Sequence, residues 1–261
     1  MSTGWPNKEK LLYLEYEIQQ DKPGLLGAVT TLMGMLEFNI LTVSATGSRR
    51  RGFLLRALSD AKMNALKAAL DQVEAIKVIA LRAPTPLDRI ALRHGKRLDV
   101  AAENPPTYRF VREELGVLVD FLGDTLVEGE NLIIGVRGMP RVGKTEAAIA
   151  ACVYANKKWI LLSSTIIRQT VRTTLMLDES ENSIFLIDGI TSTSRGNPEH
   201  WNLLARVMEI NTPKIIEHPD VFRRDGKLKV NFDLLVEIRH SEEDVIRTEE
   251  VASSFSAFDL S

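Results

Sequence analysis

The chain has 261 residues, 44% of them hydrophobic, enough for one large domain or two ordinary ones. Its 33 Lys and Arg against 35 Asp and Glu leave a net charge of -2, which gives no push toward nucleic acid or an acidic surface. A single cysteine, Cys152, excludes an internal disulfide and fits a reducing compartment. The N-terminus, MSTGWPNKEK, lacks an apolar core, and no run approaches the ~18 apolar residues of a membrane span, so the chain reads as soluble and cytoplasmic.

Residues 11–18, LLYLEYEI, alternate with Leu12, Leu14, Tyr16 and Ile18 on one face, which predicts a strand. Asp21, Pro23 and Gly24 make the next turn, and Leu25, Val29, Leu32 and Leu36 fall on one helical stripe. Strands follow at 40–46 and 53–58, joined by a hairpin whose turn chemistry comes from Gly47 to Gly52. The adjacent charges of Arg49, Arg50 and Arg51 read as a solvated tip. Asp60 caps a second helix with Met63, Leu66, Leu70 and Val73 inward, and a strand at 76–81 completes the order β-α-β-β-α-β. That order predicts a ferredoxin-like α+β sandwich.

From 84 to 106 the pattern loosens into a linker with basic residues, His94 and Lys96 among them, and one short helix around 87–92. Thr107 opens a long amphipathic helix with Val111, Leu115, Leu118, Leu122 and Leu126 inward. A buried strand at 131–136 and a helix at 146–156 then flank residues 138–145, GMPRVGKT. These fit the phosphate-binding pattern G-x-x-x-x-G-K-[ST] at every fixed position, in the strand–loop–helix context the pattern needs. Gly138 and Gly143 let the backbone turn tightly and approach a ligand. Met139, Pro140, Arg141, Val142 and the helix start at Glu146 complete a cradle whose N–H groups and helix dipole face an anion. Lys144 supplies a point charge for the outer phosphates, and the Thr145 hydroxyl is placed for Mg²⁺. The ligand this implies is ATP or GTP with Mg²⁺.

A buried strand at 159–162 and a helix at 165–177 follow, the latter with Arg168 and Arg172 on one face, either solvated or a clamp for phosphate or substrate. Residues 183–188, SIFLID, are an apolar strand delivering Asp188 at its carboxyl end, where it can hold Mg²⁺ beside Thr145. In the polar loop after it, Asn197 and Pro198 open a helix; Glu199 either complements that helix's dipole or orients a water, and Arg195 can meet a γ-phosphate. A strand at 214–217 leads to His218, read either as a surface histidine or as a sensor of that phosphate. A strand at 232–238 closes the sheet, and the acidic tail from Ser241 receives no role.

The D-x-P-G-L-L run at residues 21–26 and the Asn39-Ile40 pair resemble the ACT domain family over about residues 10–83. The resemblance implies regulatory binding of a small molecule, often an amino acid, through Asp21, Gly24, Leu25, Leu26 and Asn39, and a homodimer built from paired domains. Residues 107–240 resemble the P-loop NTPases, a three-layer α/β domain with a mainly parallel sheet. Two departures stand out: Arg141 where that superfamily often has glycine, and Gly189 where many hydrolysing members place an acid after the aspartate. The two-part layout looks like a family of uncharacterised bacterial proteins. It divides the chain into an ACT-like domain (1–83), a linker (84–106), a nucleotide-binding domain (107–240) and a tail (241–261).

The expected function is a slow NTPase, or a nucleotide-dependent switch, answering to a small metabolite. Lys144, Asp188, Arg195 and Glu199 would carry the chemistry. The alternative is a P-loop phosphotransferase with an unidentified acceptor. Neither nucleic acid nor membrane is an expected partner.

Overall fold

The computed structural model describes residues 10–57, 59–162, 182–190, 198–225, 228–241 and 243–244. The chain divides into two compact units, Met1–Leu98 and Asp99–Ser261. The helix expected at 165–177, with Arg168 and Arg172, lies outside the described residues, as do Arg195, Asn197 and most of the tail.

The first unit contains β1 (Lys10–Ile18), α1 (Leu25–Met35), β2 (Asn39–Gly47), β3 (Arg50–Ala57), α2 (Asp60–Leu70), β4 (Ile76–Arg82) and α3 (Pro86–His94). Its four strands run in the order β2-β3-β1-β4, every neighbouring pair antiparallel. Period-2 alternation sends Leu12, Leu14, Tyr16 and Ile18 to one face, where Val29 and Met33 of α1 and Leu66 and Leu70 of α2 join them in one core. Each helix contributes its pair at a spacing of four, one turn apart on a single face. Gly24 precedes α1 with φ 84, a left-handed conformation that glycine adopts without steric cost. The cap of α2 is Ser59, whose side chain accepts the Lys62 N–H, so Asp60 is the first helical residue and not the cap.

The structure also fills much of the expected linker. Pro86 and the Thr85–Asp88 capping box start α3, and Gly95 ends it at φ 68. Helix α3 packs on β2 and β3. Gly52 permits the approach: a Cβ there would lie 2.7 Å from Thr46 Cγ2 and 3.0 Å from Leu92 Cδ2. The buried Glu15 accepts the Thr46 hydroxyl at 2.8 Å and lies 3.2 Å from Arg97. Residues 84–98 are therefore integral to the first unit, whose edge falls inside the 84–106 stretch. Nor does Arg49 simply stand in solvent. It donates to the Ile18 and Gln19 carbonyls at 3.0 and 2.8 Å and ties the hairpin to the end of β1.

The second unit contains β5 (Asp99–Ala101), β6 (Thr107–Val111), α4 (Leu115–Glu128), β7 (Ile133–Gly138), α5 (Lys144–Tyr154), β8 (Lys158–Leu162), β9 (Ser183–Asp188), α6 (Pro198–Glu209), β10 (Lys214–Glu217), α7 (Pro219–Asp225) and β11 (Leu234–Arg239). The seven-stranded sheet has the order β5-β6-β11-β7-β10-β9-β8 and is parallel except where β5 meets β6. Thr107 thus opens a strand and not a long helix: TYRFV is rich in residues that suit a pleated surface, and α4 begins only at Leu115. The last strand does not close the sheet. It lies inside it, between β6 and β7, which is why LLVEI is buried throughout. Strand β8 is less buried than expected, with Trp159 and Leu161 exposed.

Alternation divides the sheet's two faces. Phe185, Ile187 and Ile216 form a core with Leu204 and Val207 of α6 and Phe222 of α7. The residues between them, including Asp188 and Glu217, point to the other face, where α5 lies. Cys152 is buried in α5, and burial pushes its thiol up to about 11, as expected for a packed core thiol. No helix among the described residues is long and apolar enough to cross a membrane.

Candidate functional site

Chain connections make a crevice at one point of the parallel sheet. From β7 the chain crosses to β8 on one side, whereas from β10 it crosses to β11 on the other. Neighbouring strands whose connections leave in opposite directions open a cleft at their carboxyl ends, the usual ligand position in such sheets. The loop after β7 and the residues after β10 flank that cleft.

The loop after β7 is tightly specified. Gly138 ends the strand, and a Cβ there would lie 2.7 Å from the Ile238 carbonyl oxygen. Met139, Pro140, Arg141 and Val142 form the loop, with Val142 fully buried. Arg141 takes φ 60, a left-handed backbone uncommon outside glycine, and its carbonyl accepts the Arg112 guanidinium at 2.9 Å. Gly143 precedes α5 at φ 105, and a Cβ on it would sit 2.7 Å from Leu115 Cδ1. Lys144, Thr145 and Glu146 make the first turn of α5. Lys144 is 6% exposed and folds back to donate to the carbonyls of Gly138 and Met139, at 3.1 and 2.9 Å. Burial lowers its pKa, against the pull of Glu217, Asp188 and Glu146.

Asp188 stands at the end of β9, as the sequence predicts, and its Oδ1 accepts the Ile190 N–H at 3.0 Å. A second carboxylate meets Thr145. The Thr145 hydroxyl donates to Glu217 Oε1 at 2.6 Å. Glu217 ends β10 and lies in register with Asp188 on one side and Val136 on the other. Burial raises its pKa, with Asp188 and Glu146 adding to the rise while Thr145 and Lys144 oppose it. Sequence reasoning missed Glu217. The available signal was an apolar strand ending in an acid, KIIE, the same pattern that singled out Asp188.

His218, next in the chain, is 8% exposed and so is not a surface histidine; it takes φ 55. Burial, then the Lys144 charge, pulls its pKa down to about 4 against the effect of Asp188, so it is neutral at pH 7. Glu199 lies in the first turn of α6, with its side chain outside the described atoms, and Arg195 lies outside the described residues. Among the described residues no cluster of three or more His, Cys, Asp and Glu is arranged to hold a metal ion. The oxygens of Thr145, Glu217 and Asp188 are nevertheless hard donors of the kind Mg²⁺ takes in ones and twos beside phosphate and water.

In the first unit Asp21 and Gly24 are both exposed in the turn before α1. Leu26 is 43% exposed, Leu25 is half-buried, and Asn39 is exposed at the start of β2. No side chain caps α1 at Gly24.

These features define a mixed α/β protein with two sheets, one of them mostly parallel, and a glycine-framed loop at a crevice of the parallel one. The chain belongs to the family described as "Protein of unknown function (DUF3388)", whose model matches residues 78–259. It is similar to the "Uncharacterized protein YmfK" of Bacillus subtilis (strain 168), 42% identical over 257 residues that span 95% of this chain and 96% of that relative. Among solved structures it is similar to a phospho-2-dehydro-3-deoxyheptonate aldolase from Thermotoga maritima, at 12% identity and a TM-score of 0.22 over 87% of this chain and 69% of that one. A likeness that low carries no argument about fold or activity.

Proposed function

We propose that the second unit is a P-loop domain that binds ATP or GTP with Mg²⁺, and that the first is an ACT-like module whose small-molecule ligand adjusts that binding. The observation that carries the reading is the loop itself. Gly138, left-handed Arg141 and Gly143 shape a turn at a sheet crevice, directly before a helix whose first residue is a buried lysine. A lysine buried against two carbonyls, with its pKa lowered, gains from an anion that enters the loop and takes over its donors. Lys144 would hold the outer phosphates. Thr145 and Asp188 would hold Mg²⁺, with Glu217 behind the Thr145 hydroxyl; the cation neutralises charge on the phosphates.

The reading favours slow turnover or a switch over a fast ATPase. Gly189 offers no carboxylate, and a Cβ there would lie 2.6 Å from the Glu217 carbonyl oxygen, so a larger residue does not fit. Titration calorimetry of Mg-ATP and Mg-GTP into the full chain and into Lys144→Ala tests the proposal. Binding that the variant loses supports it; no heat from either nucleotide with the unaltered chain overturns it.

For the first unit, the exposure of Asp21, Gly24 and Leu26 at one turn and of Asn39 at the start of β2 supports capture of an amino acid or related metabolite. Coupling requires that metabolite and nucleotide change each other's affinity by one common factor. Nucleotide affinity that stays constant across a panel of amino acids would remove this half of the proposal.

A further inference from the structure

We infer that Glu217 is a positioning residue that sets the Thr145 hydroxyl toward a divalent cation held beside Asp188. The inference rests on the nucleotide reading above and names the residue that adjusts its metal side. A threonine hydroxyl has one hydrogen to donate and lone pairs to offer. Here the hydrogen is committed to Glu217 Oε1 at 2.6 Å, so the lone pairs face away from that carboxylate and are left for an electrophile. A carboxylate that fixes a ligand's hydrogen in this way orients it and makes it a better donor to a metal.

The sheet order explains why this falls to residue 217. Strand β10 is inserted between β7, which delivers the loop, and β9, which delivers Asp188. In the parallel register Glu217 is paired with both Val136 and Asp188, so both carboxylates lie at the same height on the α5 face, with Glu217 one strand nearer the loop. Asp188 meanwhile accepts the Ile190 N–H of its own chain at 3.0 Å. The close of β10 also excludes an acid after Asp188. A Cβ on Gly189 would meet the Glu217 and His218 carbonyl oxygens at 2.6 and 2.8 Å, and backbone atoms cannot swing aside as a side chain can. One strand end thus closes position 189 to a side chain and provides a carboxylate beside it.

The test measures affinity for ATP, or for GTP if that is the ligand, with Mg²⁺ and with EDTA; the ratio reports how far the cation contributes. It uses the full chain, with thermal melting to confirm that each variant folds. Glu217→Ala is expected to reduce the ratio about 10- to 100-fold. Glu217→Gln, whose amide oxygen still accepts the hydroxyl hydrogen, is expected to keep most of it. In a Thr145→Val background, Glu217→Ala should add nothing, because the residue acts through that hydroxyl. An unaltered ratio in Glu217→Ala overturns the inference, as does an undiminished effect in the Thr145→Val background. A loss in Glu217→Gln equal to that in Glu217→Ala overturns it in favour of direct cation contact. Absence of nucleotide binding in the unaltered chain is a different failure: it removes the nucleotide reading, and this inference with it.

Discussion

Arg112 donates from Nη1 to the carbonyl oxygen of Arg141 at 2.9 Å, joining the turn before α4 to the one loop residue outside glycine that adopts a left-handed backbone, at φ 60. Holding a non-glycine residue there is costly, and a charged donor on its carbonyl helps offset that cost. If the loop binds nucleotide as proposed, Arg112→Ala is expected to weaken that binding about 3- to 10-fold by loosening the loop before ligand arrives. Because Arg112 is exposed, global stability should move by no more than about 0.5 kcal/mol. Calorimetry and urea unfolding on the same preparation separate the two effects. A large stability loss with unaltered affinity would show that the brace serves the fold and not the loop.

Lys214 sits at the opposite end of β10, fully buried, with its ammonium donating to Asn131 Oδ1 at 3.0 Å, to the Thr212 carbonyl at 2.8 Å and to the Ile210 carbonyl. Burial lowers its pKa, with Asp233 opposing. Lys214→Met keeps the stem but leaves Asn131 Oδ1 and the Thr212 carbonyl without the ammonium, which should cost about 2–4 kcal/mol. Urea unfolding would show the loss as a lower midpoint. A midpoint that stays put would mean that water replaces the ammonium without penalty.

His218 supplies an acid-side prediction. Its folded pKa of about 4 lies below the ordinary 6.5, so between those values the unfolded chain binds the extra proton. Stability linked to this group is complete above about pH 6.5 and falls as the pH drops toward 4, by an amount on the order of 3 kcal/mol. His218→Asn, which tolerates the left-handed backbone, should flatten that part of the stability–pH curve relative to the unaltered chain. Parallel curves for the two proteins between pH 4 and 6.5 would contradict it.

In the first unit, Gly52→Ala should destabilise. Its new methyl would press on Thr46 Cγ2 at 2.7 Å, Leu92 Cδ2 at 3.0 Å and the Tyr13 hydroxyl at 3.3 Å, all on the side sealed by α3. Overpacking of this kind costs about 1–3 kcal/mol. Thermal unfolding is the measurement, and an unaltered midpoint would show that α3 is held loosely enough to step aside.

Much of this architecture is written locally in the chain. Alternation at Leu12, Leu14, Tyr16 and Ile18 and four-residue spacing at Leu66 and Leu70 are short-range signals, and they yield the elements of the first unit in order. The glycines at 138 and 143 likewise mark a loop that the structure shapes around them. What the sequence hides is non-local. Nothing in KIIE says that its strand enters the sheet between β7 and β9, so nothing says that Glu217 meets Thr145. Nothing in LLVEIR distinguishes an edge from an interior position until β6 is recognised as a strand. That recognition fails because Val111 shares a helical spacing with Leu115 and Leu118, although it belongs to the strand before them.

Strand β10 is four residues long and carries a buried ammonium at its first position and a carboxylate tied to α5 at its last. Sliding by one residue would invert both, so its register is pinned from the two ends. The backbone amides of Lys214–Glu217 should then be among the slowest in the second unit to exchange with deuterium, while those of residues 139–143 exchange early.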